Sequence, residues 1–198
     1  MKTKDADTLG FYAREAAAYT SRGAPANALW LERFLKRVRS GGAILELGCG
    51  AGQDSEAMLA AGFDVTPSDG QPEMAKAAEE RLGRKVRVLL FEDIAFRSAF
   101  DGVWANACLL HVPRAGLASI INRIHAALKP GGAFYASFKA GDREGCDSLG
   151  RYYNYPDAAF LTEAFGQCAW VSVDIEQQAG GGYDGLPTQW LHVIAIKA

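Results

Sequence analysis

The residues that could do chemistry in this chain sit at the ends of predicted strands. Gly48, Gly50 and Gly52 alternate with Cys49 and Ala51, directly after the apolar run Ala43–Leu47. Glycine permits positive φ and lets bare backbone approach a ligand. The free N–H groups at the start of the next helix favour an anionic group. Glu46 stands inside the strand end, and Asp69 lies 21 residues beyond Gly48. At the end of a second strand, a carboxylate there could accept from both hydroxyls of a ribose. Capping the helix that begins near Pro72 is its other reading. His111 follows the fourth predicted strand, where it suits proton acceptance, a substrate contact or a packed structural role. No triad or carboxylate pair accompanies these residues. Cys49, Cys108, Cys146 and Cys168 form no C-x-x-C, and the three histidines have no metal-ligand spacing.

The elements that must position these residues follow from periodicity. Phe11–Tyr19 is alanine-rich and reads as a helix with Tyr12 and Tyr19 on one face. Asn27 is placed to cap a second helix, in which Leu31, Leu35 and Val38 keep helical spacing and Arg33, Lys36, Arg37 and Arg39 make the other side basic. Strands are predicted at Ala43–Leu47, after Ala61 as far as Thr66, at Lys85–Phe91, at Phe100–Asn106 and at Ala133–Lys139. Helices are predicted at Gln53–Ala61, at Gln71–Leu82 and after Pro113, where Leu117, Ile121, Ile124 and Leu128 form the buried stripe. Ala140–Tyr155 is polar and aromatic, and too long for a plain connection. A helix from Pro156 to Phe165 and strands at Cys168–Gln177 and Gln189–Lys197 complete the chain, with a glycine-rich, flexible link at Gly180–Gly185.

On these residues the chain resembles a known family. Glu46-Leu-Gly-Cys-Gly-Ala-Gly52 is similar to the first motif of the class I S-adenosylmethionine (SAM) methyltransferases, whose loop wraps the amino-acid end of SAM. Asp69-Gly-Gln-Pro-Glu-Met74, Phe100–Asn106 and Leu128–Gly132 resemble later family segments. The likeness covers residues 43–139 well and both ends loosely, and within the family it leans toward the small bacterial tellurite-resistance type. It implies an α/β fold: a doubly wound, Rossmann-like sheet of seven strands, mostly parallel, with one antiparallel strand near the C-terminus. It implies SAM as cofactor, S-adenosylhomocysteine (SAH) as product and a small-molecule acceptor. The cofactor contacts it implies are Tyr19, Glu46, Gly48, Cys49, Gly50, Gly52, Asp69, Gly70, Glu92, Asp93, Ile94 and Asn106. Asp93 is preferred over Glu92 for the adenine amino group, although the usual Gly-Asp pair is absent there. The acceptor contacts expected are Tyr12, His111, Arg143, Arg151 and Tyr152, beside Tyr153 and Tyr155, with His111 as the candidate catalytic group.

Composition narrows the alternatives. The chain has 198 residues, 49% hydrophobic and 22% charged, with a formal net charge of −2. That fits one globular domain over 1–198, with 1–40 a helical cap on an α/β core at 41–198. It disfavours a protein whose main partner is nucleic acid, which needs a basic surface. No apolar run is long enough to span a bilayer, and the polar start carries no signal-peptide pattern. The scattered cysteines suggest a cytoplasmic location. Oligomeric state stays open. So do two other functions: a non-catalytic SAM- or SAH-binding module, and a nicotinamide-dependent oxidoreductase on a similar βαβ start.

Overall fold

The computed structural model describes residues 8, 10–13, 28–181 and 187–198. The expected helix cap at Asn27, the cofactor contact at Tyr19 and the link beyond Gly181 lie outside the described residues. Residues 10–13 are helical, as expected for the start of the first helix.

Seven strands form one sheet in the order β3-β2-β1-β4-β5-β9-β8. Their ranges are β1 Ala43–Leu47, β2 Asp64–Asp69, β3 Arg87–Val88, β4 Phe100–Ala105, β5 Leu128–Lys139, β8 Trp170–Gly181 and β9 Pro187–Lys197. Neighbouring pairs from β3 to β5 are parallel. β9 lies antiparallel to both β5 and β8, so it alone runs against the rest of the sheet. This is the methyltransferase topology expected from the resemblance. A separate hairpin pairs β6 Gly145–Cys146 with β7 Tyr152–Tyr153, inside the segment expected only to be long and polar.

Helices cover both faces, which is why β1 and β4 are largely apolar, interrupted by Glu46 and Asp101. Helix α1 (Ala28–Leu35) buries Trp30, Leu31 and Phe34 on one face, beside α2 (Gln53–Ala60). There they meet Ile44, Val65, Trp104 and Tyr135 in one cluster. Helix α3 (Pro72–Leu82) begins with its proline at the first helical position. Helix α4 (Arg114–Ala127) turns Leu117, Ile120, Ile121 and Ile124 onto the opposite face, with α5 (Ala158–Phe165) beside it. Each of those four side chains contributes about 1.5–3 kcal/mol by leaving water. Among the described residues no helix is long and apolar enough to cross a membrane.

Some boundaries differ from the expectation. β3 is two residues long rather than the seven of Lys85–Phe91, because Phe91–Asp93 closes a 3-10 turn at the sheet edge. Leu128 begins β5 instead of ending the helical stripe, with a register irregularity where β5 meets Phe100 and Gly102. Asp157 caps α5 by accepting from Phe160 N–H at 2.7 Å, so the helix starts after Pro156.

Asp101 ties the amino ends of the central strands together. Its carboxylate accepts from Arg39 Nε at 2.7 Å, Ala43 N–H at 2.8 Å and Lys129 Nζ at 2.8 Å. Burial alone would raise its pKa, but the hydrogen bonds from Arg39, Lys129 and Ala43 outweigh it and hold the carboxyl well below the usual range. A depressed folded-state pKa contributes stability above the unfolded value and loses it as pH falls through the folded value. Asp101→Ala should therefore lower the unfolding free energy at pH 7 by about 2 kcal/mol, the range for hydrogen bonds to a charged group. Urea titrations of both proteins should show the gap narrowing below about pH 4. A gap that stays constant into acid would assign the loss to packing rather than to charge.

Candidate active site at the carboxyl edge of the sheet

The sheet order reverses between β1 and β4, and in open α/β sheets the crevice at that switch point takes the ligand. The glycine loop fills the turn from β1 into α2. Gly48, Gly50 and Gly52 have φ of +64°, +55° and +84°. The loop is closed by Gly52 N–H to Cys49 C=O and by Cys49 N–H to Ser68 C=O, both 2.9 Å. Two of these glycines are needed for different reasons. A Cβ on Gly48 would lie 2.5 Å from the Cβ of Cys108, whose thiol donates to Leu47 C=O at 3.1 Å. A Cβ on Gly50 would meet only Met74 Cε, at 3.7 Å. At Gly50 the demand is the left-handed backbone itself, since a Cβ there would make only an ordinary contact.

Asp69, at the last position of β2, clamps this loop. Its two oxygens accept from Gly50 N–H at 3.0 Å and Gln71 N–H at 2.8 Å. Burial pushes its pKa up to about 6, only partly offset by those two bonds. Each oxygen keeps a further lone pair for a ligand hydroxyl. Leu89 N–H bonds Asp69 C=O at 2.9 Å, which brings the turn at Phe91–Asp93 to the same edge. Within that turn Glu92 is half-buried and Asp93 exposed, while Ile94 is buried in the core behind them. Gly70 is half-buried between Asp69 and α3.

Two residues expected at a cofactor turn inward. Glu46 is buried beneath the loop, and its carboxyl accepts from the Ser55 hydroxyl in the first turn of α2. Burial, then the Asp54 charge, raises its pKa well above the ordinary value. Its place is to hold α2 onto β1, since β1 is covered on both faces. Cys49 packs its side chain with Ala75, Ala78 and Val86, so its approach to a ligand is through backbone.

Sequence reasoning passed over Asp54. Its Oδ2 accepts from Trp104 Nε1 at 2.9 Å and Asn106 Nδ2 at 3.0 Å. Asn106 Oδ1 accepts from the Ser137 hydroxyl at 2.9 Å, and Ser137 in turn accepts from Ala107 N–H at 2.8 Å. This network joins α2, β4 and β5 at their ligand-facing ends. The readable signal was an acidic residue in the first turn of the helix after the glycines.

The second half of the edge is built around His111. Its Nδ1 lies 2.6 Å from Tyr152 C=O, an acceptor, so Nδ1 carries the proton and donates. That tautomer leaves Nε2 to accept from the Tyr12 hydroxyl at 3.0 Å. Burial pushes the His111 pKa down to about 4, so it is neutral near pH 7. Tyr153 packs on His111 with centroids 4.7 Å apart, and Lys139 Nζ stands 4.5 Å from the Tyr153 ring. Tyr152 gives the site its backbone, while its hydroxyl donates to Glu144. Arg151 is 1% exposed and ion-paired with Asp147. Arg143 is not brought to this cluster: its side chain is 87% exposed and pairs with the adjacent Asp142. Among the described residues no group of three or more His, Cys, Asp or Glu side chains could hold a metal ion.

The two glycines should separate experimentally. A non-glycine residue in the left-handed region costs about 1–2 kcal/mol. Gly50→Ala carries only that cost, whereas Gly48→Ala adds the collision with Cys108. Urea unfolding should therefore show the larger loss for Gly48→Ala. Equal losses would mean that Cys108 yields without cost.

Comparison with known proteins agrees with this geometry. The family described as "Methyltransferase domain" matches residues 44–132. The chain is similar to the ubiquinone biosynthesis O-methyltransferase of Xanthomonas axonopodis pv. citri, 37% identical over 119 residues, which are 56% of this chain and 49% of that protein. The corresponding protein of Xylella fastidiosa is 34% identical over 119 residues, with 56% and 48% covered. The chain thus spans about half the length of these curated relatives. Among solved structures it is similar to the Burkholderia thailandensis 1,6-didemethyltoxoflavin-N1-methyltransferase with bound 1,6-didemethyltoxoflavin and SAH. The TM-score is 0.77 at 23% identity, over 97% of this chain and 86% of that one. The Haemonchus contortus phosphoethanolamine N-methyltransferase 2, in complex with SAM, aligns with a TM-score of 0.73 at 17% identity, over 96% and 57%. At these identities the solved structures speak for the fold, and the sequence match covers the glycine loop, Asp69 and the strand after it. Over residues 44–132 the chain thus resembles the methyltransferase domain, and its fold is the one those solved methyltransferases share.

Proposed function

We propose that this protein transfers a methyl group from SAM to a small-molecule acceptor. The observation that carries the reading is the left-handed glycine loop at the switch point of the sheet, pinned by Asp69. When bound, SAM supplies a methyl carbon already made electrophilic by its sulfonium. The catalytic demand on the chain is then mainly alignment and exclusion of water. Backbone at Gly48, Gly50 and Gly52 would hold the amino-acid end, and Asp69 with Gly70 the ribose. Glu92, Asp93 and Ile94 would flank the adenine, with Asp93 exposed and able to accept from its amino group. Asn106, fixed by Asp54 and Ser137, would stand beside the loop. Tyr19 remains a proposed contact from the resemblance alone.

On the acceptor side, His111 and Tyr12 are the proposed working pair. A Tyr12 hydroxyl that donates to Nε2 keeps its oxygen lone pairs for an acceptor O–H or N–H. A proton leaving the acceptor could pass to the Tyr12 oxygen as the Tyr12 proton moves to Nε2. With a pKa of about 4, His111 is a weak base, so it suits an acceptor that sheds its proton as the new bond forms. The similarity to methyltransferases of ubiquinone biosynthesis and of 1,6-didemethyltoxoflavin supports a small-molecule acceptor. The cytoplasm is the location we read from the scattered cysteines.

The test is calorimetry. The wild-type protein should bind SAH and not NAD. Asp69→Ala should weaken SAH by about 1.5–3 kcal/mol. Asp69→Asn should also weaken it, because its NH2 group would face the Gly50 or Gln71 N–H. Wild-type affinity for SAH should fall below about pH 6, where Asp69 takes up a proton that the ligand must displace. Unchanged SAH affinity in Asp69→Ala would return Asp69 to a purely loop-holding role. Turnover of labelled SAM with a panel of phenolic, heterocyclic and amine acceptors then reads the transfer itself.

A further inference from the structure

Arg151 was expected to touch the acceptor, yet its guanidinium is spoken for within the protein. Asp147 Oδ2 accepts from Arg151 Nε at 2.9 Å and Nη2 at 2.6 Å. Asp147 Oδ1 accepts from the Leu149 and Arg151 N–H groups at 3.0 and 2.9 Å. One carboxylate thus organises the whole turn from β6 to β7. Burial pushes the Asp147 pKa up, but the side-chain and backbone bonds from Arg151 outweigh it and hold it below the usual range.

The Arg151 guanidinium also lies over two rings. Its Cζ lies 5.0 Å from the Phe11 centroid and 5.3 Å from the Tyr153 centroid. Cation–π contacts of this kind strengthen when desolvated, and Arg151 is 1% exposed. Phe11 packs edge-on against Tyr12 at 5.4 Å. The next residue, Tyr152, links the amino-terminal segment to the imidazole: its N–H donates to Thr8 Oγ1 at 2.8 Å, and its C=O accepts from His111. The helical turn at residues 10–13 is therefore seated on β7 by Arg151 at one point and by Thr8 at another.

We propose that Arg151, locked by Asp147, is a positioning residue that seats Phe11 and so holds the Tyr12 hydroxyl on His111 Nε2. The proposal rests on the reading of Tyr12 and His111 as the acceptor-side pair. Arg151 touches neither cofactor nor acceptor in this account. It sets how firmly the amino-terminal turn closes over the imidazole, and hence how dry the imidazole is. Lysine cannot replace it, because an ammonium has neither the two-pronged fork nor the flat face.

The readout is the titration of His111, followed by NMR of its ring protons in the full chain. Tyr12 faces the imidazole from the amino-terminal turn, Arg151, Asp147 and Tyr153 from the hairpin, and Lys139 from β5. Phe11→Leu leaves every one of those charges in place and removes only the ring that Arg151 grips. Arg151→Lys also keeps the charge. In both variants the His111 midpoint should rise by about one pH unit or more toward the ordinary 6.5, as water reaches the ring. SAH affinity, measured by calorimetry on the same samples, should stay within about twofold, well under the tenfold that 1.4 kcal/mol represents. A midpoint in Phe11→Leu equal to that of the wild type overturns the proposal. So does a shift accompanied by a matching loss of SAH affinity, which would make the contact a general support of the fold. If Arg151→Lys does not fold, Phe11→Leu decides alone. Failure of the wild type to bind SAH would sink the methyl-transfer reading while leaving the His111 titration to judge the positioning role.

Discussion

The candidate site depends on one hydrogen bond, from Gly50 N–H to the carboxylate of Asp69. The three left-handed glycines bring no side chains to hold the loop's shape, and glycine is the residue with the most freedom to lose. Asp69 removes that freedom from a neighbouring strand. It also faces the crevice, so the group that shapes the loop stands where a ribose would be read. The cost is visible in its pKa, raised by burial to about 6. A buried carboxylate with spare lone pairs is a poor feature for stability alone and a useful one for a ligand with hydroxyl groups.

Around that bond the protein arranges its polar groups in two tiers. Beneath the loop, Glu46, Ser55, Asp54, Trp104, Asn106 and Ser137 are joined by hydrogen bonds that hold α2, β4 and β5 in register. Above it stand Asp69, the turn at Phe91–Asp93 and His111. The lower tier is buried apart from the half-buried Asn106, and its polar groups are paired, as buried ones must be. The upper tier keeps acceptor capacity: lone pairs on Asp69, an exposed Asp93 and the hydroxyl oxygen of Tyr12 beside His111. The division explains why so few residues look catalytic. In the proposed methyl transfer the electrophile would arrive already activated and need a rigid frame more than strong acids and bases.

The acceptor half is made differently. Its groups come from the amino-terminal turn, the loop after β4, the end of β5 and the β6–β7 hairpin. Arg114 stitches the last of these to α4, with Nε donating to Asn154 C=O at 2.8 Å. Asn154 in turn donates to Leu109 and Val112 C=O, holding the His111 turn from behind. This half lies on loops held by a rigid sheet, which is where binding residues commonly sit.

What the sequence determined by itself is the part governed by local backbone demands. Three glycines at alternate positions must form a left-handed turn, and an apolar run before them must be a covered strand. Those demands placed β1, the loop, α2 and Asp69, and the spacing of Leu117, Ile121 and Ile124 placed the buried side of α4. The length of β3 escaped, because a two-residue edge strand has no periodicity to read. The tertiary structure alone decided which way the side chains face. Glu46 and Cys49 belong to the motif yet turn inward, since β1 is covered on both faces. Arg143 and Arg151 look alike in sequence, and only the turn centred on Asp147 separates a solvated arginine from a buried one. Tyr12 and His111 are 99 residues apart. Their hydrogen bond comes from the packing of a helical turn on a hairpin, a contact between distant segments that leaves no mark in the spacing of either.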